Sequence, residues 1–165
     1  GHEVHQKYRI RFYERLDQMK LELKQKIGDV STKFSTPINQ EIYEGIMTQN
    51  LDVFQKYIDD KLIRRYMVDM LKNNLEPKVT INYKREAYKD STDNLRVTFD
   101  HSLFGDWFHE DDFKSSIQLL SSNKLIMEVK YEFYLPENVK IILDKIKPEQ
   151  VAYSKYFLGY ISLGI

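Results

Sequence analysis

The sequence predicts a single α+β domain of about six antiparallel strands with helices between them. One observation is that several short segments alternate apolar with charged residues, which is the two-residue period of a half-buried strand. Another is that the middle of the chain carries apolar residues at every fourth position, which is typical of helices. In addition, no Pro-, Gly- or Ser-rich stretch and no internal repeat divides the 165 residues, which favours one domain over residues 1–165.

The first part of the chain predicts three strands. Residues 8–13 alternate bulky side chains with arginines, and residues 19–27 alternate apolar with charged side chains. A third extended piece is expected over residues 30–34, after a turn at Gly28 and Asp29.

The next part predicts helices. Thr36 is expected to be the N-cap and Pro37 the first residue of the helical region. Over residues 38–71 the pattern indicates a short helix and then a longer one that is capped near Asn50. The apolar residues that recur every four positions are Phe54, Ile58, Leu62, Tyr66 and Met70.

Strand patterning resumes after a break at residues 72–77. The predicted strands cover residues 78–88, 95–99 and 124–133. Pro136, at a position like N1, begins a helix that ends near residues 147–148. The last apolar stretch, residues 153–165, is either a short helix or a closing strand.

Composition excludes several classes of function. A hydrophobic fraction of 42% is enough for a buried core, which argues against intrinsic disorder. Twenty-five basic and 25 acidic residues give a formal net charge of zero, so we expect no nucleic-acid binding through bulk charge. The absence of cysteine excludes disulfides, thiolate metal sites and a cysteine nucleophile. No apolar run reaches the roughly 18 residues of a membrane span, and we expect a soluble, cytoplasmic protein.

Charged residues at alternate positions of several strands are the most informative feature. A solvated strand face is the simplest interpretation, because half-buried strands normally place polar residues in water. If helices cover the apolar faces from outside, the charged faces instead point inward. A lumen lined by cations and carboxylates requires paired charges or a ligand, and it suits a polyanion with Mg²⁺ or Mn²⁺. The alternating residues are Arg9, Arg11, Glu22, Lys24, Lys26, Arg96, Thr98, Asp100, Glu128 and Lys130.

Six segments, in order, resemble the VTC domain (vacuolar transporter chaperone) of polyphosphate polymerases, part of the triphosphate tunnel metalloenzyme or CYTH-like group. They read KYRIRFY from residue 7, LELKQK from 21, YKREAY from 83, NLRVTFD from 94, IMEVK from 126 and YSKY from 153. The resemblance covers residues 7–156. It implies that the chain corresponds to about the C-terminal two-thirds of the family's domain.

The resemblance implies a tunnel-shaped antiparallel β-barrel, incomplete in this chain, with helices packed outside. It implies transfer of the γ-phosphate of ATP to a growing polyphosphate chain with Mn²⁺ or Mg²⁺. The family's phosphate-binding cations match Arg9, Arg11, Arg85, Arg96 and Lys155. Further substrate contacts are expected from Tyr83, Lys24, Lys26, Lys130 and Ser154. The family's metal-binding glutamate matches Glu128.

Two other functions remain open at this point. One is a non-catalytic module that binds polyphosphate or nucleotides and pairs its open barrel edge with a second copy. The other is a triphosphatase of the same fold, whose relatives carry an N-terminal E-x-E-x-K strand that does not occur before Lys7. The expected partners are ATP, polyphosphate or inorganic phosphate, in the cytoplasm or on the cytoplasmic face of a membrane complex. Whether this chain is itself active also remains open.

Overall fold

The computed structural model describes residues 4–13, 18–28, 30–91, 94–107 and 116–164. The chain divides into two compact units, Gly1–Pro77 and Lys78–Ile165. Helices and antiparallel strands confirm the predicted α+β class. Within the described residues the strands form two separate sheets, and no closed barrel is found. Among the helices of this described part, none has the length and apolar character needed to cross a membrane.

The first unit contains a three-stranded antiparallel sheet covered on one face by helices. Its elements are β1 (Val4–Arg11), β2 (Met19–Ile27), β3 (Val30–Ile38), α1 (Gln40–Met47), α2 (Leu51–Gln55) and α3 (Lys61–Asn73). The sheet order is β1-β2-β3. Leu21 and Leu23 of β2 are buried against Ile42, Phe54 and Tyr66 of the three helices. The alternation of β2 therefore places its apolar residues in the core, as predicted.

The predicted helix start at Thr36 and Pro37 is wrong. Strand β3 continues through both residues, and α1 begins after Asn39, whose side chain accepts a hydrogen bond from the Ile42 amide at 3.0 Å. Thr36 instead donates to the Asp60 carboxylate at 2.6 Å. Pro37 is tolerated because β3 lies at an edge of this sheet, where a missing N–H removes no essential ladder bond.

The predicted longer helix is in fact two helices. Asn50 caps α2, as expected, but the chain then leaves the helix through a turn. Asp60 caps α3, and its carboxylate accepts a hydrogen bond from the Leu62 amide at 2.8 Å. Ile58 shares the four-residue period but lies in the turn, because Asp60 starts a new helix two residues later. The predicted turn residue Asp29 lies outside the described residues.

The second unit contains the other antiparallel sheet and two helices. Its elements are β4 (Val79–Lys89), β5 (Leu95–Trp107), β6 (Ile117–Gln118), β7 (Ile126–Tyr131), α4 (Glu137–Ile146) and α5 (Lys155–Ser162). Strand β5 pairs with β4, β6 and β7. It is longer than predicted, and β6 is an addition to the prediction. Pro136 is the N-cap of α4 rather than its first residue, and the last apolar stretch is a helix.

Helix α5 packs on β4 through a glycine. A Cβ at Gly159 would clash with the Ile81 side chain and would lie 3.1 Å from Val79 Cγ2. The small residue therefore allows close approach of the helix to the strand. This contact places Lys155, one turn before Gly159, over the middle of the second sheet.

Candidate functional site

The uncovered face of the first sheet is almost entirely cationic. Residues that are paired across antiparallel strands lie on the same face. The register pairs Arg9 with Glu22, and Lys7 with Lys24 and then Lys33. We call this surface the cationic face; its charged residues are Lys7, Arg9, Arg11, Lys20, Glu22, Lys24, Lys26 and Lys33. Within the described strands it therefore carries seven cations and one carboxylate.

Glu22 is the charge around which the cationic face is organised. Its side chain is buried, with 4% of the residue exposed, although it is surrounded by half-exposed cations. Arg9 Nε donates to Glu22 Oε2 at 2.9 Å, and Lys33 Nζ lies 2.6 Å from Oε1. Arg11 Nη1 lies 4.0 Å from the same oxygen. Burial alone would raise the pKa of Glu22, but the hydrogen bonds from Lys33 and Arg9 outweigh it and lower that pKa.

Lys7 shows the cost of crowding cations on this face. Burial lowers its pKa, and the nearby charges of Arg9 and Lys24 lower it further, to about 8. A bound anion would stabilise the charged form of Lys7 and raise this pKa. The face is therefore electrostatically prepared for a negatively charged ligand.

In the second unit, a buried carboxylate holds two of the predicted cations. Asp100 on β5 is 1% exposed. Arg85 of β4 donates to it through Nε and Nη2, both at 2.6 Å, in the two-pronged geometry that guanidinium groups favour. Lys155 Nζ of α5 lies 2.6 Å from Asp100 Oδ2. We call these three residues the Asp100 cluster.

The charges of the Asp100 cluster are mutually stabilised. Burial would raise the pKa of Asp100, but hydrogen bonds from Arg85 and Lys155 lower it overall. The bond to Asp100 in turn raises the pKa of Arg85. Tyr83 supports both cations, because its ring centroid lies 5.3 Å from the Arg85 guanidinium carbon and 5.2 Å from Lys155 Nζ. These distances allow cation–π attraction.

Ser154 positions Lys155 rather than pointing freely from a loop. It is the N-cap of α5, and its hydroxyl oxygen accepts a hydrogen bond from the Phe157 amide at 3.3 Å. Lys155 is the first residue of this helix. The hydroxyl hydrogen of Ser154 can still donate to a ligand.

Arg96 and Thr98 carry buried polar atoms that the protein does not satisfy. Arg96 Nε and Thr98 Oγ1 have no hydrogen-bond partner among the described residues. Both residues share a sheet face with Asp100, two and four positions away on β5, and Thr98 is paired with Glu128 of β7. A buried donor without a partner costs about 1–3 kcal/mol, so a ligand oxygen at this position would be favourable.

A cavity of about 420 Å³ opens beside Arg96. Its lining residues are Lys89, Asn94, Arg96, Lys130, Tyr131 and Glu132. The register places Lys89, Arg96 and Lys130 side by side on three strands. The cavity therefore concentrates three cations next to the unsatisfied Arg96 Nε.

The predicted metal ligand Glu128 is half-exposed and pairs with Lys130, whose Nζ lies 3.2 Å from Glu128 Oε1. No group of three or more His, Asp or Glu side chains that could hold a metal is found in the part of the chain that the structure describes. One carboxylate together with substrate phosphates is nevertheless a common way of binding Mg²⁺. The donor set thus fits a metal that binds together with a phosphate ligand.

The structure groups the predicted site residues by unit. Arg9, Arg11, Lys24 and Lys26 lie on the cationic face of the first sheet. Tyr83, Arg85, Arg96, Glu128, Lys130, Ser154 and Lys155 lie in the second unit. Sequence reasoning assigned no role to Lys7 or Asp100. The alternation that marks Arg9 and Arg11 extends back to Lys7, and Asp100 stands in the quoted NLRVTFD segment, so both signals were present.

Comparison with known proteins identifies the family. A family model described as the VTC domain matches residues 1–164. No curated protein matches the chain. No solved structure matches it. The family match includes both the cationic face and the Asp100 cluster.

Proposed function

The chain belongs to the VTC domain family, and on that premise we propose that it is a polyphosphate polymerase-type phosphotransferase. In this reaction a terminal oxygen of a polyphosphate chain forms a bond to the γ-phosphorus of ATP. The bond between that phosphorus and the β,γ-bridging oxygen breaks, and ADP leaves.

The cationic face is the observation that carries the proposal. An ordinary solvated face mixes both signs of charge, whereas this face sets seven cations around one buried carboxylate. Rows of cations along neighbouring strands suit a linear anion with charge on every unit. Each charge-assisted hydrogen bond to a phosphate oxygen would contribute about 1.5–3 kcal/mol.

The second unit would supply further phosphate contacts. Arg85 and Lys155 are held by Asp100, and Arg96 presents a buried Nε without a protein partner. These cations would bind and orient the phosphates, and Tyr83, Lys130 and Ser154 would add substrate contacts. Catalysis would then come from positioning and charge neutralisation rather than from a covalent intermediate.

Glu128 is the residue that would hold Mn²⁺ or Mg²⁺ in this proposal. When bound, the metal would bridge phosphate oxygens and neutralise charge. Lys130 would release Glu128 and turn toward the anion, because the pair is half-exposed and weakly held.

Three further elements of the proposal come from family membership. One is the triphosphate tunnel, and another is pairing with a second copy through an open strand edge. The third is a location in the cytoplasm or on the cytoplasmic face of a membrane complex, where ATP is present as donor. The proposed ligands are ATP, polyphosphate and inorganic phosphate.

A non-catalytic polyphosphate-binding module is the second candidate. It is favoured by the ion pair between Glu128 and Lys130, which leaves the predicted metal ligand engaged with a cation. The two candidates share the cationic face and differ in ATP consumption.

The test is to incubate the chain with ATP, Mn²⁺ and a short polyphosphate primer, and to measure ADP and chain length. Chain lengthening with equivalent ADP would support the polymerase, and primer binding without ADP would support the binding module. Phosphate release without lengthening would indicate a triphosphatase. Arg85→Ala should abolish lengthening, whereas Lys84→Ala, on the opposite face of β4, should retain it. Failure to bind primer at all would contradict both candidates.

A further inference from the structure

We propose that Asp100 is a positioning residue, whose carboxylate holds Arg85 and Lys155 in their binding arrangement before a phosphate ligand arrives. This inference rests on the proposed function, because it takes these two cations to be phosphate ligands. It adds a role for an acidic residue, although acidic residues normally oppose anion binding.

The geometry shows how one carboxylate controls both cations. Asp100 on β5 receives Arg85 from β4 and Lys155 from α5, so it joins three elements that are distant in the sequence. Both of its oxygens are used, and all three contacts measure 2.6 Å. At 1% exposure, Asp100 is screened from solvent and from direct contact with a ligand in bulk water.

The two cations keep donors for a ligand. Arg85 has five N–H donors and Lys155 has three. The contacts to Asp100 use two from Arg85 and one from Lys155. Both side chains are about a fifth exposed. The Tyr83 ring lies close to both, which further limits their motion.

Holding the cations in advance has a thermodynamic consequence. Long Arg and Lys side chains lose rotamer freedom when they bind a ligand, and prior ordering removes part of that loss. Against this, the negative charge of Asp100 repels an anion. A positioning role requires the first effect to exceed the second, whereas a purely structural ion pair would leave only the repulsion.

The two roles therefore predict opposite changes on removal of the charge. In the Asp100→Asn variant, a positioning role predicts that tripolyphosphate binds at least about tenfold more weakly. A purely structural role predicts unchanged or tighter binding, provided that the variant is folded. The sign of the change in affinity thus separates the two roles.

The experiment is calorimetric titration of tripolyphosphate into the wild type, Asp100→Asn and the control Asp106→Asn, with folding checked by thermal unfolding. Asp106 lies on the same strand and accepts a hydrogen bond from Asn82 at 2.8 Å. Its variant removes the same charge and should bind as the wild type does. Equal or tighter binding by folded Asp100→Asn would overturn the inference while leaving the proposed function intact. No binding by the wild type would instead contradict the proposed function, and the inference with it.

A second measurement needs no variant and applies if Asp100→Asn does not fold. The Arg85 Nε–H of the free wild-type protein should give an NMR signal that is protected from exchange with water, because it is already bound to Asp100. A signal that becomes protected only after tripolyphosphate is added would overturn the proposed prior ordering.

Discussion

Arg9 on β1 and Glu22 on β2 face each other across the first sheet, where Arg9 Nε donates a 2.9 Å hydrogen bond to the buried Glu22 carboxylate. Lys33 reaches the same carboxylate from β3. One acidic group thus fixes cations from both flanking strands without cancelling the positive charge of the face. The Asp100 cluster repeats this arrangement in the second unit.

The Glu22→Gln variant should reduce stability, and the loss should depend on pH. Because the folded pKa of Glu22 is lowered, its contribution is present above the unfolded value of about 4.3 and is lost as the pH falls through the folded value. Urea unfolding should therefore show a loss of about 1–3 kcal/mol near pH 7 that shrinks in acid. Glu44→Gln, at an exposed helical position, is the control. A loss that is independent of pH would contradict the assignment.

Binding of tripolyphosphate near pH 8 should be accompanied by proton uptake at Lys7. Its pKa of about 8 leaves much of the side chain neutral at that pH, and a bound anion favours the charged form. Calorimetry in buffers of different ionisation enthalpy measures the uptake. Protons released by the ligand itself cancel when the Lys7→Met variant is subtracted from the wild type. Identical proton counts for the two proteins would show that Lys7 does not sense the ligand.

Arg96→Ala should weaken tripolyphosphate binding by about 1.5–3 kcal/mol, or about 10- to 150-fold, if its buried Nε donates to phosphate. Lys84→Ala is the matched control, because it removes a cation from the opposite face of the same sheet. Calorimetric affinities for both variants check the prediction. Equal losses would indicate a general charge effect rather than a contact.

Glu128→Gln should remove the enhancement of tripolyphosphate binding by Mn²⁺ and spare most of the metal-free affinity. The reason is that Glu128 is the proposed metal ligand, whereas the phosphate-binding cations remain in place. Titrations with and without Mn²⁺ measure the difference. The control is Glu86→Gln, since Glu86 lies on the opposite face of β4. An undiminished Mn²⁺ effect in Glu128→Gln would exclude this role.

Local patterning predicted most strands and the charged faces, because side chains alternate across a strand. It placed Arg9 and Arg11 on one face and the apolar residues of β2 in the core. It failed at Thr36, whose partner Asp60 is 24 residues away. Local capping rules favour a helix there, but pairing with β2 and the contact to Asp60 keep the chain extended.

The arrangement of the second unit could not be predicted from local pattern. A register shift between β4 and β5 lies between Asn82 and Lys84, next to the point where Arg85 meets Asp100. Lys155 reaches Asp100 because Gly159 lets α5 lie close to β4. These contacts join residues far apart in the chain, so the resemblance supplied the residue types and the structure supplied their partners.

The most direct test of the account is calorimetric titration of tripolyphosphate into the wild type and the double variant Arg9→Ala/Arg11→Ala. Arg64→Ala, on the exposed side of α3, is the control for loss of an arginine. The account predicts saturable binding by the wild type and by Arg64→Ala, with affinity at least about tenfold weaker in the double variant. Equal affinity in all three proteins would show that the cationic face is only a solvated surface.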